Sequence, residues 1–222
     1  MKPDELNGGP PLTWQGCEQG FLPGIPRYNI SMKKFILFLV ILSLGCSDSD
    51  LPVKAQFPEI TLINQDGKDF TFSQVEGKVV VVSYIYTNCP DICHIISAKI
   101  NAFKNKLKEN DVQDKVYFVS ITLDRERDTP DVLRQHAKMM NLDLTNWVFV
   151  TGDKDSIDST IKVAGMEALK GPIQHSKDGE PSYEIAHQNR ISLVDEKGRI
   201  RKHYRGTDFD MDELLKDIKG LL

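Results

Sequence analysis

Two cysteines, Cys89 and Cys93, are the residues whose type and spacing point most directly to chemistry. They lie in the segment TNCPDICH, directly after a largely apolar run at residues 79–86. Their C-x3-C spacing is one residue longer than the C-x-x-C of dithiol redox enzymes. If a helix begins between them, both sulfurs face the same way, offset by roughly 6 Å of helical rise. Both can then reach one small ion, so the spacing predicts a metal-binding pair.

The predicted position of the pair, between a strand and a helix, also indicates reactive thiols. The N-terminus of a helix favours negative charge, which lowers the pKa of a thiol there and supplies thiolate near neutral pH. Pro90 suits the first turn because that position needs no backbone N–H. Inert core thiols or a structural disulfide are the simpler alternative, but polar residues at a strand end are not typical of a core. Two soft thiolates suit Cu(I).

A histidine is the natural third ligand, since it would help to retain Cu(II) as well. Of the five histidines, His136 is expected on a helix surface, and His94 points about 100° away from Cys93 on a regular helix. His187 precedes a predicted strand, in the loop that packs against the dithiol in thioredoxin-like domains. Thiol–disulfide enzymes of that fold carry a cis-proline there, whereas this chain has no proline after Ser182. We therefore predict His187 as the third ligand.

The elements that must position these side chains alternate between strands and helices. The predicted strands are Phe57–Leu62, Asp69–Phe72, Val79–Tyr86, Val116–Leu123, Trp147–Val150, Arg190–Val194 and Arg199–Tyr204, and the predicted helices are Cys93–Lys108, Pro130–Met140, Asp153–Val163 and Met211–Leu221. This order predicts an α/β, thioredoxin-like fold: a central, mainly parallel sheet flanked by helices, with an N-terminal β-hairpin and a late β-hairpin extension. Gly165–Pro181 is polar and is expected to be a loop. Ligands of such sheets collect at the carboxyl ends of the strands, where Cys89 lies.

The N-terminal part predicts a targeting signal that does not start at residue 1. Residues 32–46 combine a basic start, a run of ten largely apolar residues and a final Gly-Cys pair. That run is too short for a bilayer, which needs ~20 residues, and fits the core of a signal peptide. Cys46 resembles the lipid-bearing cysteine of a bacterial lipoprotein. Residues 1–31 are then interpreted as a mis-assigned upstream extension, residues 47–56 as a tether and residues 57–222 as the folded domain.

Composition and charge exclude some functions. The chain has 222 residues, which allows one good domain with extra segments. A net charge of −4, with scattered Lys and Arg, gives no sign of nucleic-acid binding. Four cysteines are too few for a disulfide-stapled scaffold of this length. We expect a domain outside the cytoplasm, in the bacterial cell envelope, lipid-anchored to a membrane.

Four sequence features together resemble the Sco/SenC family of copper chaperones. They are TNCPDIC after a strand, the segment SITLDRERDTP at residues 120–130, the run WVFVTG at residues 147–152, and His187 before the final hairpin. The likeness covers about residues 57–222. Members of that family are membrane-tethered, thioredoxin-fold proteins that deliver copper to the binuclear CuA centre of cytochrome c oxidase. The family often has proline after the second cysteine, where this chain has His94.

The resemblance implies a function and a set of site residues. One copper ion, as Cu(I), Cu(II) or both, would be bound by Cys89, Cys93 and His187, and Asp124 would tune the site without binding the ion. Oxidation of the cysteine pair to a disulfide would empty the site. The implied partners are subunit II of cytochrome c oxidase, another periplasmic copper chaperone and a thioredoxin-like reductant. No small substrate needs to be turned over, so an enzyme is not expected, although an auxiliary thiol–disulfide reductase activity is compatible.

Three other functions could use the same cysteines. A thiol–disulfide oxidoreductase or redox sensor would cycle them between dithiol and disulfide; the x3 spacing, the missing proline and His187 count against it. A peroxidase would need partners for its reactive cysteine, of which Thr87 and Arg190 are the available ones. Covalent haem would make His94 an axial ligand, but C-x3-C-H differs by one residue from the usual motif.

Overall fold

The structure, a computed structural model, describes residues 51–175 and 181–222. The predicted upstream extension, the signal peptide and Cys46 lie outside the described residues. Within the two described ranges, none of the helices has the length and apolarity that crossing a bilayer requires.

The strands of the described residues form one large sheet and two small ones. Their bounds are β1 Ala55–Gln56, β2 Leu62–Asn64, β3 Asp69–Phe70, β4 Val79–Ile85, β5 Val116–Thr122, β6 Trp147–Thr151, β7 Ala168–Lys170, β8 Gln174–His175, β9 Pro181–Ser182, β10 Ile185–His187, β11 Arg190–Val194 and β12 Arg199–Arg205. The large sheet has the order β1-β12-β11-β4-β5-β6-β2-β3, and the small sheets pair β10 with β7 and β8 with β9.

The centre of the large sheet is parallel, and its flanks are antiparallel. Strand β4 pairs in parallel with β5, and β5 with β6. The late hairpin β11–β12 adds antiparallel strands beside β4, and the N-terminal hairpin β2–β3 adds them beside β6. All seven residues of β4 are buried, as expected for a Val-rich strand that is covered on both faces. The α/β, thioredoxin-like architecture predicted from the sequence is confirmed.

The helices of the described residues begin at recognisable sequence signals. Their bounds are α1 Ile92–Glu109, α2 Pro130–Met139, α3 Lys154–Val163 and α4 Met211–Leu221, with two short 3₁₀ turns at Phe72–Val75 and Gln113–Lys115. Side-chain oxygens of Thr129, Asp153 and Asp210 cap α2, α3 and α4 by accepting backbone N–H bonds. The Asp91 side chain makes no such bond at the start of α1.

Four segments differ from the sequence prediction. Strand β1 lies in the predicted tether, and the predicted strand Asp69–Phe72 ends at Phe70. The predicted strand Phe57–Leu62 begins only at Leu62, since Pro58 lacks the backbone N–H that a ladder needs. The region Gly165–Pro181 was expected to be a loop, but it contains β7, β8 and the first residue of β9. Its register places Ala168 opposite His187 and Lys170 opposite Ile185. Strands of two or three residues have too few positions for an alternating pattern to be visible in the sequence.

Candidate metal centre

Both cysteines lie at the junction of β4 and α1, as predicted, but they are buried. After β4 ends, the backbone N–H of Cys89 donates to the carbonyl of Tyr86 at 3.2 Å, and Cys93 lies in the first turn of α1. Both are free thiols, with Cys89 5% and Cys93 0% exposed. They belong to the hydrophobic core, which corrects the expectation of a solvent-near loop.

The sulfur of Cys89 replaces the side-chain cap that α1 lacks. The backbone N–H groups of Asp91 and Cys93 are close enough to it to stabilise its negative charge and so lower its pKa. Its pKa falls to about 3, mainly through hydrogen bonding with the Cys93 thiol and further through His187 and the amides, against the effect of burial. The same contact with Cys89, together with burial, raises the pKa of Cys93 well above its ordinary value. The pair therefore shares one proton at neutral pH and behaves as a monoanion.

The imidazole of His187 approaches this pair from β10. It is half-buried, and it lies within hydrogen-bonding reach of the Cys89 sulfur. Its ring meets the ring of Tyr86 edge-on, with centroids 6.0 Å apart. The Nδ1 atom is 2.9 Å from the carbonyl oxygen of Gln188. Because a carbonyl only accepts, Nδ1 carries the proton of that bond, and Nε2 is the ring nitrogen that can face a metal.

The cysteine loop is fixed by Asp128, a residue that the sequence analysis did not single out. Its carboxylate accepts from the backbone N–H of Thr87 at 3.0 Å and from the hydroxyls of Thr87 and Thr122. Asp128 is fully buried, and burial raises its pKa. The charge of Asp128 is also close enough to Cys93 to oppose ionisation of that thiol. Asp128 lies in the segment DRERDTP, but its contact with Thr87 can be seen only in the folded structure.

Asp124 contacts the histidine-bearing segment rather than the sulfurs. Its carboxylate accepts from the Tyr183 hydroxyl at 2.7 Å and forms an ion pair with Arg127. The Arg127 guanidinium lies 3.6 Å from the centre of the Tyr183 ring and donates to the Tyr183 carbonyl at 3.0 Å. Tyr183 lies four residues before His187. Among the contacts that the structure describes, Asp124 is therefore connected to His187 only by way of Tyr183 and the backbone between Tyr183 and His187.

Two segments of the site meet at Tyr86. The Tyr86 hydroxyl accepts from the backbone N–H of Ile185 at 3.3 Å, which joins the end of β4 to β10. Burial raises the pKa of Tyr86 to about 12. Tyr86 thus stays a neutral hydroxyl at neutral pH and holds the β10 backbone in place beside the thiols.

Three further histidines, His94, His136 and His203, have their described contacts away from the cysteines. His136 was expected on a surface, but it is only 2% exposed, because α2 turns this face towards the sheet. His94 is exposed, and its ring neighbours that of His136 rather than a sulfur. His203 is half-buried, with Nδ1 3.0 Å from the Ser192 hydroxyl. Among the histidines whose side chains the structure describes, the predicted one, His187, is the one beside Cys89.

The peroxidase partners are engaged elsewhere. Arg190 donates to the carbonyls of Ala164 and Gly165. Thr87 is bonded to Asp128. Neither contact presents a donor to a peroxide at Cys89, so the geometry gives that function no support.

The side chains of Cys89, Cys93 and His187 are ligands that suit a soft metal ion, although shared protons rather than an ion connect them in this structure. Among the described residues, no group of three or more His, Cys, Asp or Glu side chains is closed up tightly enough to hold a metal. Cys93 and His187 are nevertheless both close enough to Cys89 to lower its pKa. Thiolate and imidazole are ligands of Cu(I) and Cu(II). A bound ion would replace the shared protons and draw the three side chains closer, a change that needs movement of the imidazole more than of the buried sulfurs.

Comparison with known proteins gives a consistent match over the described domain. A family model described as SCO1/SenC matches residues 50–222. A SCO1/SenC family lipoprotein from Bacillus anthracis is 26% identical, with a TM-score of 0.63 over 77% of this chain and 96% of that one. Bradyrhizobium japonicum ScoI with copper bound is 27% identical, with a TM-score of 0.62 over 77% of this chain and 100% of that one. BsSco, described as having a disulfide switch and as a member of the Sco family of cytochrome c oxidase assembly proteins, is 27% identical, with a TM-score of 0.61 over 78% of this chain and 95% of that one.

Proposed function

The chain belongs to the SCO1/SenC family, and from that premise we propose that it is a copper chaperone that acts in the assembly of cytochrome c oxidase. Two similar proteins support this proposal: one has a solved structure with copper bound, and another is described as belonging to the family of oxidase assembly proteins. Copper is the cargo of such a protein, so the site must bind it and also give it up.

The proposed copper ligands are Cys89, Cys93 and His187. The observation that supports this set is the approach of His187, on β10, to Cys89, which interacts with Cys93 in the same loop. The monoanionic thiol pair supplies one thiolate at neutral pH, and copper binding would release the remaining thiol proton. Nε2 of His187 is available because Nδ1 is bonded to Gln188. The chain thus offers two soft sulfurs and one nitrogen to one ion.

Release of the ion follows from the unequal burial of these ligands. The sulfurs are in the core, whereas His187 is half-buried on a short strand. A partner's ligand can therefore displace the imidazole first and the sulfurs afterwards. The proposed recipient is the CuA site in subunit II of cytochrome c oxidase. A second periplasmic copper chaperone would supply copper, and a thioredoxin-like reductant would restore the dithiol after oxidation.

Residues around the ligands are proposed to tune the site without binding copper. Asp124 would act through Tyr183, which it holds by a hydrogen bond, four residues before His187. Removal of such outer contacts typically lowers metal affinity about 10–100-fold. Asp128, which fixes Thr87, would do the same for the cysteine loop.

Membrane attachment is proposed through a lipid on Cys46, which would place the domain in the bacterial cell envelope. The support is the short apolar run that ends in Gly-Cys, and the similarity to a protein described as a family lipoprotein. Metabolic labelling with a tagged fatty acid should mark the intact chain and not Cys46→Ala.

The decisive experiment is an anaerobic copper titration of the reduced domain. The protein should take up one tightly bound ion, and addition of Cu(II) should produce thiolate-to-copper charge-transfer absorption. Cys89→Ala should lose both properties. Tight binding in that variant, or its absence in the unmodified domain, would refute the proposal.

A thiol–disulfide oxidoreductase is the second candidate, because the thiols are unequal. A low-pKa thiol beside a buried thiol of raised pKa is the arrangement that exchange chemistry uses. The similar protein BsSco is described as having a disulfide switch. His187→Ala should weaken copper retention and spare dithiol exchange if the chaperone role is the main one. The opposite result would favour the oxidoreductase.

A further inference from the structure

Two imidazoles outside the proposed copper centre, one on α1 and one on α2, lie close together. His94 follows Cys93 on α1 and is exposed, whereas His136 lies in the last turn of α2 and is buried. Their ring centroids are 5.4 Å apart, and the ring planes are inclined by 51°. Neither residue takes part in the site formed by Cys89, Cys93 and His187.

The buried ring has an unsatisfied nitrogen. Nε2 of His136 is shielded from solvent and has no hydrogen-bond partner. Buried polar atoms nearly always have a partner, and an exception calls for an explanation such as an ion that is normally present. Burial lowers the pKa of His136, so its ring is neutral at neutral pH, as a metal ligand must be.

The spacing of the two rings fits one shared ion. An imidazole nitrogen lies about 2.0 Å from a bound metal, so the ring centroid lies roughly 3 Å from it. Two rings on one ion therefore have centroids up to about 6 Å apart, depending on the angle at the metal. The observed 5.4 Å lies within that limit and corresponds to a bent arrangement. His94 is at the surface, which provides a path for the ion to enter.

We propose that His94 and His136 form a second metal site, which takes one divalent transition-metal ion beside the cysteine-containing centre. Two imidazoles and water are a donor set that suits Cu²⁺, Zn²⁺ or Ni²⁺, and Cu²⁺ binds most tightly in that series. With only two protein ligands, this site is weaker than the proposed copper centre and exchanges its ion readily. It would hold Cu(II) next to the thiol pair.

The test uses a protein without the proposed copper centre. The variant Cys89→Ala/Cys93→Ala/His187→Ala is titrated with Cu(II) alone, and the bound ion is examined by electron paramagnetic resonance. One equivalent of Cu(II) should bind, and its electron spin should show hyperfine coupling to two imidazole nitrogens. Adding His94→Ala should weaken this binding at least tenfold, while the matched control His203→Ala should leave it unchanged. Equal affinity with and without His94, or coupling to one nitrogen, overturns the proposal.

A second measurement covers the case in which the triple variant does not fold. The unmodified protein and His94→Ala are each titrated with two equivalents of copper. Binding of the first equivalent should be the same in both proteins, and the second should be weaker in His94→Ala. If the second equivalent is unchanged, the His94–His136 site is disproved. If the unmodified protein does not bind the first equivalent of copper, the chaperone proposal is disproved instead. The two results are therefore distinguishable.

Discussion

The two halves of the candidate copper centre are built very differently. The cysteine half is the junction of β4, which is buried throughout, with the eighteen-residue helix α1. The histidine half is β10, a three-residue strand paired with β7 outside the main sheet. The β7 residue Leu169 is 63% exposed, whereas Cys93 is fully buried. The cysteine half lies within the core, whereas the two strands of the histidine half reach the core only through Ile185 and the partly buried Ala168.

This difference predicts that the two halves have different roles in copper binding. Local opening is least costly where few apolar contacts are lost, and such elements are the ones that move during binding. The β7–β10 pair is attached to the domain through one buried apolar residue of β10, Ile185, and through polar contacts such as those of Tyr183 with Asp124 and Arg127. The sulfurs cannot move without disturbing the core. We therefore expect the sulfurs to retain copper and the imidazole to control its exchange.

The largest predicted difference is in copper affinity. A four-ligand metal site contributes ~10–16 kcal/mol, which is about 3 kcal/mol per ligand. Cys89→Ala/Cys93→Ala should therefore lower Cu(I) affinity by roughly 10⁴-fold. His187→Ala should lower it by roughly 100-fold, since one ligand is lost. Competition with a chromogenic Cu(I) chelator measures both affinities. Equal losses of affinity in the two variants would contradict the different roles of the two halves.

The second prediction concerns the free energy of unfolding. Ile96 is fully buried on α1, so Ile96→Ala should cost about 2–5 kcal/mol. Leu169→Ala, on the exposed strand β7, should change stability by less than about 0.5 kcal/mol. Denaturant unfolding of both variants measures the difference. A similar loss in both would mean that the histidine half is as firmly packed as the cysteine half.

The same contrast explains which elements the sequence could predict. Strand β4 is a run of valines, and helices α2 and α4 begin at capping residues beside amphipathic segments, so their bounds agree with the prediction to within a residue. These signals lie within the element itself. The hairpin β11–β12 was also predicted, because the turn sequence Asp-Glu-Lys-Gly separates the two strands.

The missed features depend on partners that are distant in the sequence. Strand β1 exists because Ala55 meets Ile200, and β7 because Ala168 meets His187. The burial of His136 depends on how α2 packs against β6, where its ring meets Phe149. The role of Asp128 depends on its contact with Thr87, forty-one residues away. None of these contacts leaves a periodic pattern in one short segment, so only the fold reveals them.

The third prediction tests the connection between the two halves. Tyr183→Phe removes the hydroxyl that Asp124 accepts from. Copper affinity should fall about 10-fold, as expected for loss of an outer-shell contact. Tyr204→Phe is the matched control, since the Tyr204 hydroxyl also donates to a carboxylate, that of Asp217, at 2.6 Å. Both variants should lose about 1–2 kcal/mol of stability, but only Tyr183→Phe should lose copper affinity.

The last prediction concerns the protonation of the metal-free pair. The lowered pKa of Cys89 means that its thiolate stabilises the folded protein above the pKa of the unfolded thiol, about 8.5. This contribution is lost as the pH falls towards 3. Cys93 acts in the opposite sense, since its raised pKa makes folding less favourable above about pH 8.5. One thiol should therefore react with an alkylating agent even at pH 5, and the second should stay unreactive above neutral pH.

His187 lowers the pKa of Cys89 less than the Cys93 thiol does but more than either backbone amide. Its removal measures how firmly the histidine half engages the cysteine half. The hydrogen bond with His187 favours the Cys89 thiolate, so His187→Ala should raise the pKa of Cys89. A hydrogen bond to a charged group is worth about 1.5 kcal/mol, which corresponds to about one pKa unit. Alkylation rates against pH should show that upward shift in His187→Ala and no shift in His203→Ala. An unchanged curve in His187→Ala would mean that the imidazole approaches the sulfur only when copper joins them.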